Sequence, residues 1–579
     1  MKLSIAALAV FPFSAVAAPR STPPLTHVPR AAEVTVEIPG GTIIGNVTGV
    51  ESFHGIPFAD PPVGQLRLRP PQRRTRPLGR FDATSAAPAC PQMPLNTSEV
   101  LLPPLFGKDM TPEKWPDGEI RGQEDCLTVN VQRPRGTRPD AKLPVLFYIF
   151  GGGFIAGSTN LNDAEKFLEF ASAQSQPFIF VGVNYRLGAF GFLGGAEVVA
   201  DGTANLGLRD QRMGLEWVAD NIAYFGGDPE RVTLWGQSSG SISVFDQLAL
   251  YNGNATYNGR ALFRGAIMNS GSVLVTERAD SPRARAMFDK VVEEANCSHA
   301  APEAKLDCLR EAPFPLFYKA ANSVPRILDN SSLALPFPPR QDGEVLVDSP
   351  EIIAEMGNYF AVPSILTDQA DEGTVFSFAQ HHVNSTEKLV EYLKETFFDK
   401  TTVETVEELV TTYPEDSAAG SPFQTGQNNE WYEDTYGTGR GFKRLAAILG
   451  DFVFTLIRRM ALHSMAASHP EVKRWSSLSS FATGIAAYYG TPHGADLNMM
   501  FSGVGIPAQS TRTYYLNFLY HLNPNGRDGD EGKWREWPEW TPESPLMLHT
   551  KLLVNDLLND TFRSESYQVL KDKTRDFAF

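Results

Sequence analysis

The string Gly236-Gln237-Ser238-Ser239-Gly240 sets one serine between an apolar run, Val232-Thr233-Leu234-Trp235, and a helix-like stretch over residues 242–250. A serine at a sharp strand-to-helix turn stands clear of the backbone, where a base can reach it and acyl transfer can begin. The composition follows from that need. A hydroxyl is a weak nucleophile until a neighbour takes its proton, and glycines two residues to either side remove the Cβ atoms that would crowd the turn. A helix beginning just past the serine also aims free N–H groups and a partial positive charge at the site. Three fixed positions in five recur by chance in a long chain, so the rest of the machinery must be found elsewhere.

Acyl transfer needs a base, an acid to orient it, and donors for the tetrahedral oxyanion. In α/β-hydrolases the triad runs Ser, Asp/Glu, His along the chain. Beyond Ser238 an apolar strand-like run spans 360–366 and leads into the loop Thr367-Asp368-Gln369-Ala370-Asp371-Glu372-Gly373. An acid at the end of a buried strand is where such a fold presents catalytic groups, and Asp368, Asp371 and Glu372 all qualify. The base is drawn from His381, His382, His463, His469, His493, His521 and His549. His463 and His521 fall in helical patterns, His469 precedes Pro470, and His381-His382 adjoin the Asn384 sequon. His493 lies in Gly490-Thr491-Pro492-His493-Gly494, after an apolar stretch ending Ala487-Tyr488-Tyr489, in a loop suited to a triad histidine. For the oxyanion, Ser239 follows the nucleophile, and Gly151-Gly152-Gly153-Phe154 follows an apolar run ending at Phe150. Such chemistry needs no metal and no organic cofactor.

The elements that must hold these groups are legible as apolar runs. Residues 143–150 and 178–183 are continuous and of strand length, and helical patterns at 164–172 and 207–221 separate the strands. That alternation predicts an α/β fold with a large, mostly parallel central sheet flanked by helices. Past residue 280 come helical stretches, 444–465 and 511–522 among them, joined by long polar loops and read as insertions. Because the candidate groups span Ser238 to His493 and must meet, residues 33–579 are expected to form a single catalytic domain.

Met1-Lys2, an apolar core over 3–10 and Ala15-Val16-Ala17-Ala18 read as a secretory signal peptide of residues 1–18, cut after Ala17 or Ala18. A proline-rich, polar leader, 19–32, follows. Four cysteines suit an exported chain; pairing neighbours, Cys90 with Cys126 and Cys297 with Cys308, is one of three connectivities. Sequons at Asn46, Asn96, Asn254, Asn296, Asn330, Asn384 and Asn559 are expected to carry glycans. The net charge of −16 argues against a nucleic-acid partner, which would need a basic surface.

Across these motifs the chain resembles the type-B carboxylesterase/lipase family, the cholinesterase-like α/β-hydrolases, and within it the fungal Candida rugosa-like lipases. The resemblance rests on Phe53-His54-Gly55-Ile56-Pro57-Phe58-Ala59, Gln123-Glu124-Asp125-Cys126-Leu127-Thr128-Val129-Asn130, 151–158, Asn184-Tyr185-Arg186-Leu187-Gly188, 225–241, 266–272, Asp371-Glu372-Gly373-Thr374 and the His493 loop. It implies Ser238 as nucleophile, His493 as base, Glu372 as orienting acid, and Gly152, Gly153 and Ser239 as the oxyanion hole. It also implies the neighbour pairing of the cysteines, and buried ion pairs Arg186–Asp210 and Arg67–Glu124.

The activity implied is a secreted serine ester hydrolase on hydrophobic esters, lipase-like, with a carboxylesterase for small soluble esters as the alternative. A binding-only relative would have lost a triad member. In the resembling lipases the loop between Cys90 and Cys126 is a lid that meets lipid. Here that loop holds Val100-Leu101-Leu102-Pro103-Pro104-Leu105-Phe106, whose prolines disfavour a regular helix. The expected partners are an ester substrate and, transiently, a lipid interface; oligomeric state is not legible. Three positions depart from the family pattern: Gln237 where Glu is common, Phe150 where His or Tyr is frequent, and Asp496 where His-Gly-x-Glu is common.

Overall fold

Leu143–Ile149 and Ile179–Val183 offer almost no polar side chain to water, and the chain buries them as adjacent parallel strands. In the computed structural model, which describes residues 32–94, 121–415, 442–483, 489–527 and 532–579, both lie in the middle of one large sheet. The signal peptide, all but the last residue of the leader, Asn96 and the apolar run 100–106 lie outside the described residues.

The first strands are β1 (Ala32–Ile38), β2 (Gly41–Val47), β3 (Val50–Pro57), β4 (Gly79–Asp82), β5 (Thr128–Pro134), β6 (Leu143–Ile149), β7 (Ile179–Val183) and β8 (Gly227–Gln237). A short hairpin of β9 (Thr256–Tyr257) and β10 (Arg260–Ala261) stands apart. The sheet resumes with β11 (Gly265–Asn269), β12 (Ser364–Gln369), β13 (Arg474–Ser479), β14 (Leu546–Thr550) and β15 (Asp556–Asn559). Among the described residues the order is β1-β2-β3-β5-β7-β6-β8-β11-β12-β13-β14-β15, with β4 beside β2.

From β7 through β14 all neighbours are parallel, so their C-terminal ends share one edge. The chain goes from β6 to β7 on one side, then to β8 on the other. This reversal opens a crevice beyond the strand ends, and β8 delivers Ser238 there.

Helices Glu165–Ala173 and Leu206–Asn221 match their expected spans within a residue. The helix after Ser238, Ser239–Gly253, is buried from Ser239 to Leu250. Two of its polar residues are paired with the helix Leu206–Asn221: Gln211 Nε2 donates to Ser243 Oγ at 3.0 Å, and Gln247 Nε2 to the Leu208 carbonyl at 2.9 Å. The stretch expected as one helix over 444–465 is instead Phe442–Gly450 and Leu456–Ser468 joined by a π-helical turn, Asp451–Thr455. The wide turn holds Asp451, buried, where it accepts from Tyr413 Oη at 2.7 Å and Arg563 Nη2 at 2.6 Å.

Two strand boundaries differ from the sequence reading. The run 360–366 is cut by Pro363, which has no N–H for a ladder; β12 starts at Ser364 and continues through Thr367, Asp368 and Gln369, read above as loop. The strand that leads to the His493 loop is β13, whose sequence Arg-Trp-Ser-Ser-Leu-Ser looks too polar for a core strand yet is buried throughout.

Disulfides join Cys90 to Cys126 and Cys297 to Cys308. Arg186 meets Asp210 at 2.7 Å and Arg67 meets Glu124 at 2.6 Å, both as buried pairs. Of the described sequons, Asn254, Asn296, Asn330, Asn384 and Asn559 are exposed. Asn46 is half-buried and donates its amide to the Thr84 carbonyl at 3.1 Å, so a glycan there would have to break that bond.

A buried charge cluster ties β12 to the C-terminal segment. Arg458 donates to Asp368 Oδ2 at 2.7 Å and to both oxygens of Asp560 at 2.8 Å; Arg459 adds a bond to Asp560 at 2.8 Å. Burial alone would raise the Asp560 carboxyl, but Arg458 and Arg459 outweigh it and hold it at about 2. A carboxylate depressed below its ordinary range stabilises the fold above pH ~4 and loses that contribution as pH falls toward 2. Asp560→Ala leaves Arg459 without a carboxylate and Arg458 with Asp368 alone, an expected cost of about 3–5 kcal/mol in denaturant unfolding at pH 7. The gap between variant and wild type should begin to narrow below pH ~4, where the unfolded carboxylate protonates, and close toward pH 2, where the native one does.

Candidate active site

Ser238 sits at the tip of β8 with φ 58° and ψ −129°, a strained backbone for a residue with a side chain. Close packing imposes the turn. A Cβ on Gly236 would stand 2.1 Å from the Gly240 carbonyl oxygen, and one on Gly240 would stand 2.0 Å from that of Ile149. The Ser238 amide is fixed on the Asn269 carbonyl at 2.9 Å, while its own carbonyl accepts from Ser241 and Ile242 to open the helix. The amide of Ser239, first in that helix, has no acceptor within it.

The glycine loop after β6 lies directly against this turn. A Cβ on Gly151 would fall 2.8 Å from Ser238 Cβ, and one on Gly152 2.1 Å from the Ala156 carbonyl oxygen. Gly152 and Gly153 hold φ of 121° and 64°, which side-chain-bearing residues rarely adopt. Phe150, in place of a polar residue, stacks on Tyr185 at 4.5 Å, and Tyr185 Oη donates to the Phe150 carbonyl at 2.9 Å. The loop is thereby held from below.

The three acids have separate partners. Asp368 is inside β12 and pairs with Arg458. Asp371 accepts the Thr491 amide at 2.8 Å and returns its own amide to the Thr491 carbonyl at 3.0 Å, pinning the His493 loop, with Lys443 3.6 Å from its other oxygen. Glu372 receives the Gln369 amide at 2.7 Å on Oε1 and meets His493 Nδ1 at 2.5 Å on Oε2. Both Glu372 and His493 are buried, and the imidazole lies against the rings of Phe376 and Phe454, at 5.1 and 4.6 Å.

The other histidines are engaged elsewhere or stand on the surface. His381 and His382 are exposed. His463 packs on Trp540 and Tyr567, His469 meets the Gly357 carbonyl at 3.0 Å, and His521 ends a helix. His549 lies in β14 against Ser480 Oγ at 2.7 Å, with burial pushing its pKa down to about 4.

The structure brings Glu372 to His493 and the glycine loop to Ser238, but the expected bond between base and nucleophile is not made. His493 Nε2 is met by the carboxamide of Gln237, 3.3 Å away, and among the described residues Ser238 Oγ makes no hydrogen bond to it. With Nδ1–H directed at a carboxylate, Nε2 carries the lone pair and the Gln237 N–H donates to it. For Nε2 to take a proton from the adjacent serine, the Gln237 carboxamide must first give up this contact.

Sequence reasoning missed Asn269 and Tyr515. Asn269, at the end of β11, donates to Asp496 Oδ2 at 2.5 Å, and its oxygen accepts from Tyr515 Oη at 2.9 Å and Trp235 Nε1 at 3.2 Å. A polar residue closing an apolar strand was the available signal. Asp496 is fully buried; burial, with the Glu372 charge adding, lifts its carboxyl to about 6 against the Asn269 bond and His493. Among the described residues no group of three or more His, Cys, Asp or Glu could hold a metal ion.

A nucleophile elbow, a carboxylate-oriented imidazole and a glycine-rich amide cradle at one sheet edge are what acyl transfer requires. Comparison with known proteins agrees. The model of the carboxylesterase family matches residues 32–570. A secreted triacylglycerol lipase of Gibberella zeae is 50% identical over 93% of this chain and 90% of its own. Secreted lipase 1 of Botryotinia fuckeliana is 44% identical over 94% of each chain, and lipase 4 of Diutina rugosa 37% identical over 93% and 96%. Among solved structures, Aspergillus niger EstA superposes with a TM-score of 0.77 at 26% identity, over 95% of this chain and 99% of that one.

Two substitutions should move the acid limb of the pH profile in opposite directions. Gln237→Glu sets a negative charge beside Nε2, favours the imidazolium and shifts the limb to higher pH. Asp496→Asn removes the buried charge that forms above pH about 6, disfavours the imidazolium and shifts it lower. Plots of kcat/KM against pH on a soluble ester check both, and shifts of the same sign would refute this electrostatic picture.

Proposed function

The chain belongs to the carboxylesterase family, and from that premise we propose that Ser238, His493 and Glu372 are its catalytic triad, with the amides of Gly152, Gly153 and Ser239 as the oxyanion hole. The observation that carries this reading is the 2.5 Å contact of Glu372 with His493 Nδ1, made while Nε2 faces the residue next to Ser238. The protein is a carboxylic ester hydrolase. Ser238 Oγ attacks the ester carbonyl as His493 Nε2 takes its proton, and Glu372 holds the ring and balances the imidazolium. The oxyanion is met by backbone N–H groups that need not reorganise, each worth about 3 kcal/mol of barrier. The imidazolium returns its proton to the departing alcohol, and a water activated by the same nitrogen frees the acid.

Long-chain acylglycerols are the substrates this reading favours, because the Gibberella zeae relative is named a triacylglycerol lipase. Relatives named as secreted support export, which fits the amino-terminal signal read from the sequence. Residues 33–579 act as one catalytic unit, since every site segment springs from the same sheet. Glycans belong on the exposed Asn254, Asn296, Asn330, Asn384 and Asn559.

Ser238→Ala should lower kcat on the order of 10⁶-fold while leaving the melting transition in place. Residual turnover above a few per cent of wild type would sink the assignment, as would failure of a soluble organophosphate to label the wild-type serine.

A further inference from the structure

Among the described residues three consecutive apolar side chains stand out in water: Leu552, Leu553 and Val554, at 44%, 75% and 65% exposure. Isolated exposed aliphatics are ordinary, but an exposed run of three is a feature that folding alone does not ask for. They form the tip of the β14–β15 hairpin, whose strands pair His549 with Asp556. A two-residue turn would join such strands. The chain instead spends additional residues to hold an apolar tip outside the sheet.

The strand register says which way the tip faces. Gln369 of β12 is level with Ser479 of β13, and Ser479 with Thr550 of β14. All three strands run parallel, so Leu552–Val554 project past the same edge as Glu372, three residues beyond Gln369, and the His493 loop beyond β13. Two strand spacings, about 10 Å, separate the base of the tip from the end of β12. The base is tied to β13 by the Ser480 amide on the Thr550 carbonyl at 2.9 Å and the Ser480 hydroxyl on His549 at 2.7 Å.

Charge narrows what can cover it. The chain carries a net charge of −16, which repels anionic membranes and polyanions, while residues 551–555 hold one charge, Lys551. We propose that the Leu552–Leu553–Val554 tip is a docking element for an uncharged acylglycerol surface, seating the protein on its insoluble substrate with the catalytic edge facing the oil. This rests on the lipase reading above. The chemistry is partition of apolar area into an apolar phase, with no pocket and no specific bond.

The test uses Leu552→Ser/Leu553→Ser/Val554→Ser and, as a milder variant, Leu553→Ser. In the Ser238→Ala background, flotation with triolein droplets should weaken by about tenfold for the triple variant and less for the single one. With Ser238 intact, triolein hydrolysis should fall by a similar factor, while kcat/KM on dissolved p-nitrophenyl acetate, which also reports folding, stays within about twofold. Unchanged flotation, or equal losses on both substrates, overturns the proposal and leaves the lipase reading standing. A wild type that cleaves the dissolved ester but not triolein overturns both. Light scattering that shows a wild-type dimer reduced to monomer by the substitutions, with flotation unchanged, assigns the tip to a second copy instead; recovery of binding on anionic vesicles alone also overturns it.

Discussion

The contact between Glu372 and His493 demands that two loops from different strands meet inside the protein, and most of the architecture follows from making that meeting reliable. Each loop leaves a parallel strand, and those strands are neighbours in register. Asp371 closes the remaining gap by exchanging backbone and side-chain bonds with Thr491. Phe376 and Phe454 then keep water from the ring, so the charge on the carboxylate is felt undiluted. On the other side of β11, the approach of Gly151, Gly236 and Gly240 to their neighbours leaves Ser238 a single place to stand.

Charges in the interior are arranged so that each acid near the catalytic edge has one role. Asp368 lies four residues before Glu372 and would compete for the same counter-charges, yet Arg458 holds it within β12. Asp560 completes that cluster and couples the sheet to the C-terminal segment. Asp496 is fully buried with no guanidinium beside it, so burial lifts its carboxyl despite the Asn269 bond.

Much of this was legible in the sequence because glycine and apolar runs report on the backbone directly. The elbow around Ser238 and the Gly151-Gly152-Gly153 loop announce close approach of main chains, and β6 and β7 are continuous apolar segments. What was hidden depends on contacts distant in the chain. Nothing local distinguishes Asp368, Asp371 and Glu372; only Arg458, Thr491 and His493 do so, and the resemblance was needed to choose Glu372. β13 escaped notice because its serines and arginine look solvated, whereas in the fold Ser476 accepts from Arg458, and Arg474 donates through Nη1 and Nη2 to the carbonyls of Val472, Met465 and His469. The Gln237 carboxamide on Nε2 was invisible for the same reason: the departure from the family pattern could be read, its partner could not.

The backbone at Ser238 is a feature with reach beyond chemistry. At φ 58° and ψ −129° the chain is strained at the very residue proposed as nucleophile. Glycine would relax there, and a lineage propagated for heat resistance alone, with no demand for turnover, would drift toward it. A serine at this corner thus gives up main-chain ease for a hydroxyl held clear of the backbone, an exchange that only a chemical use of that hydroxyl would justify.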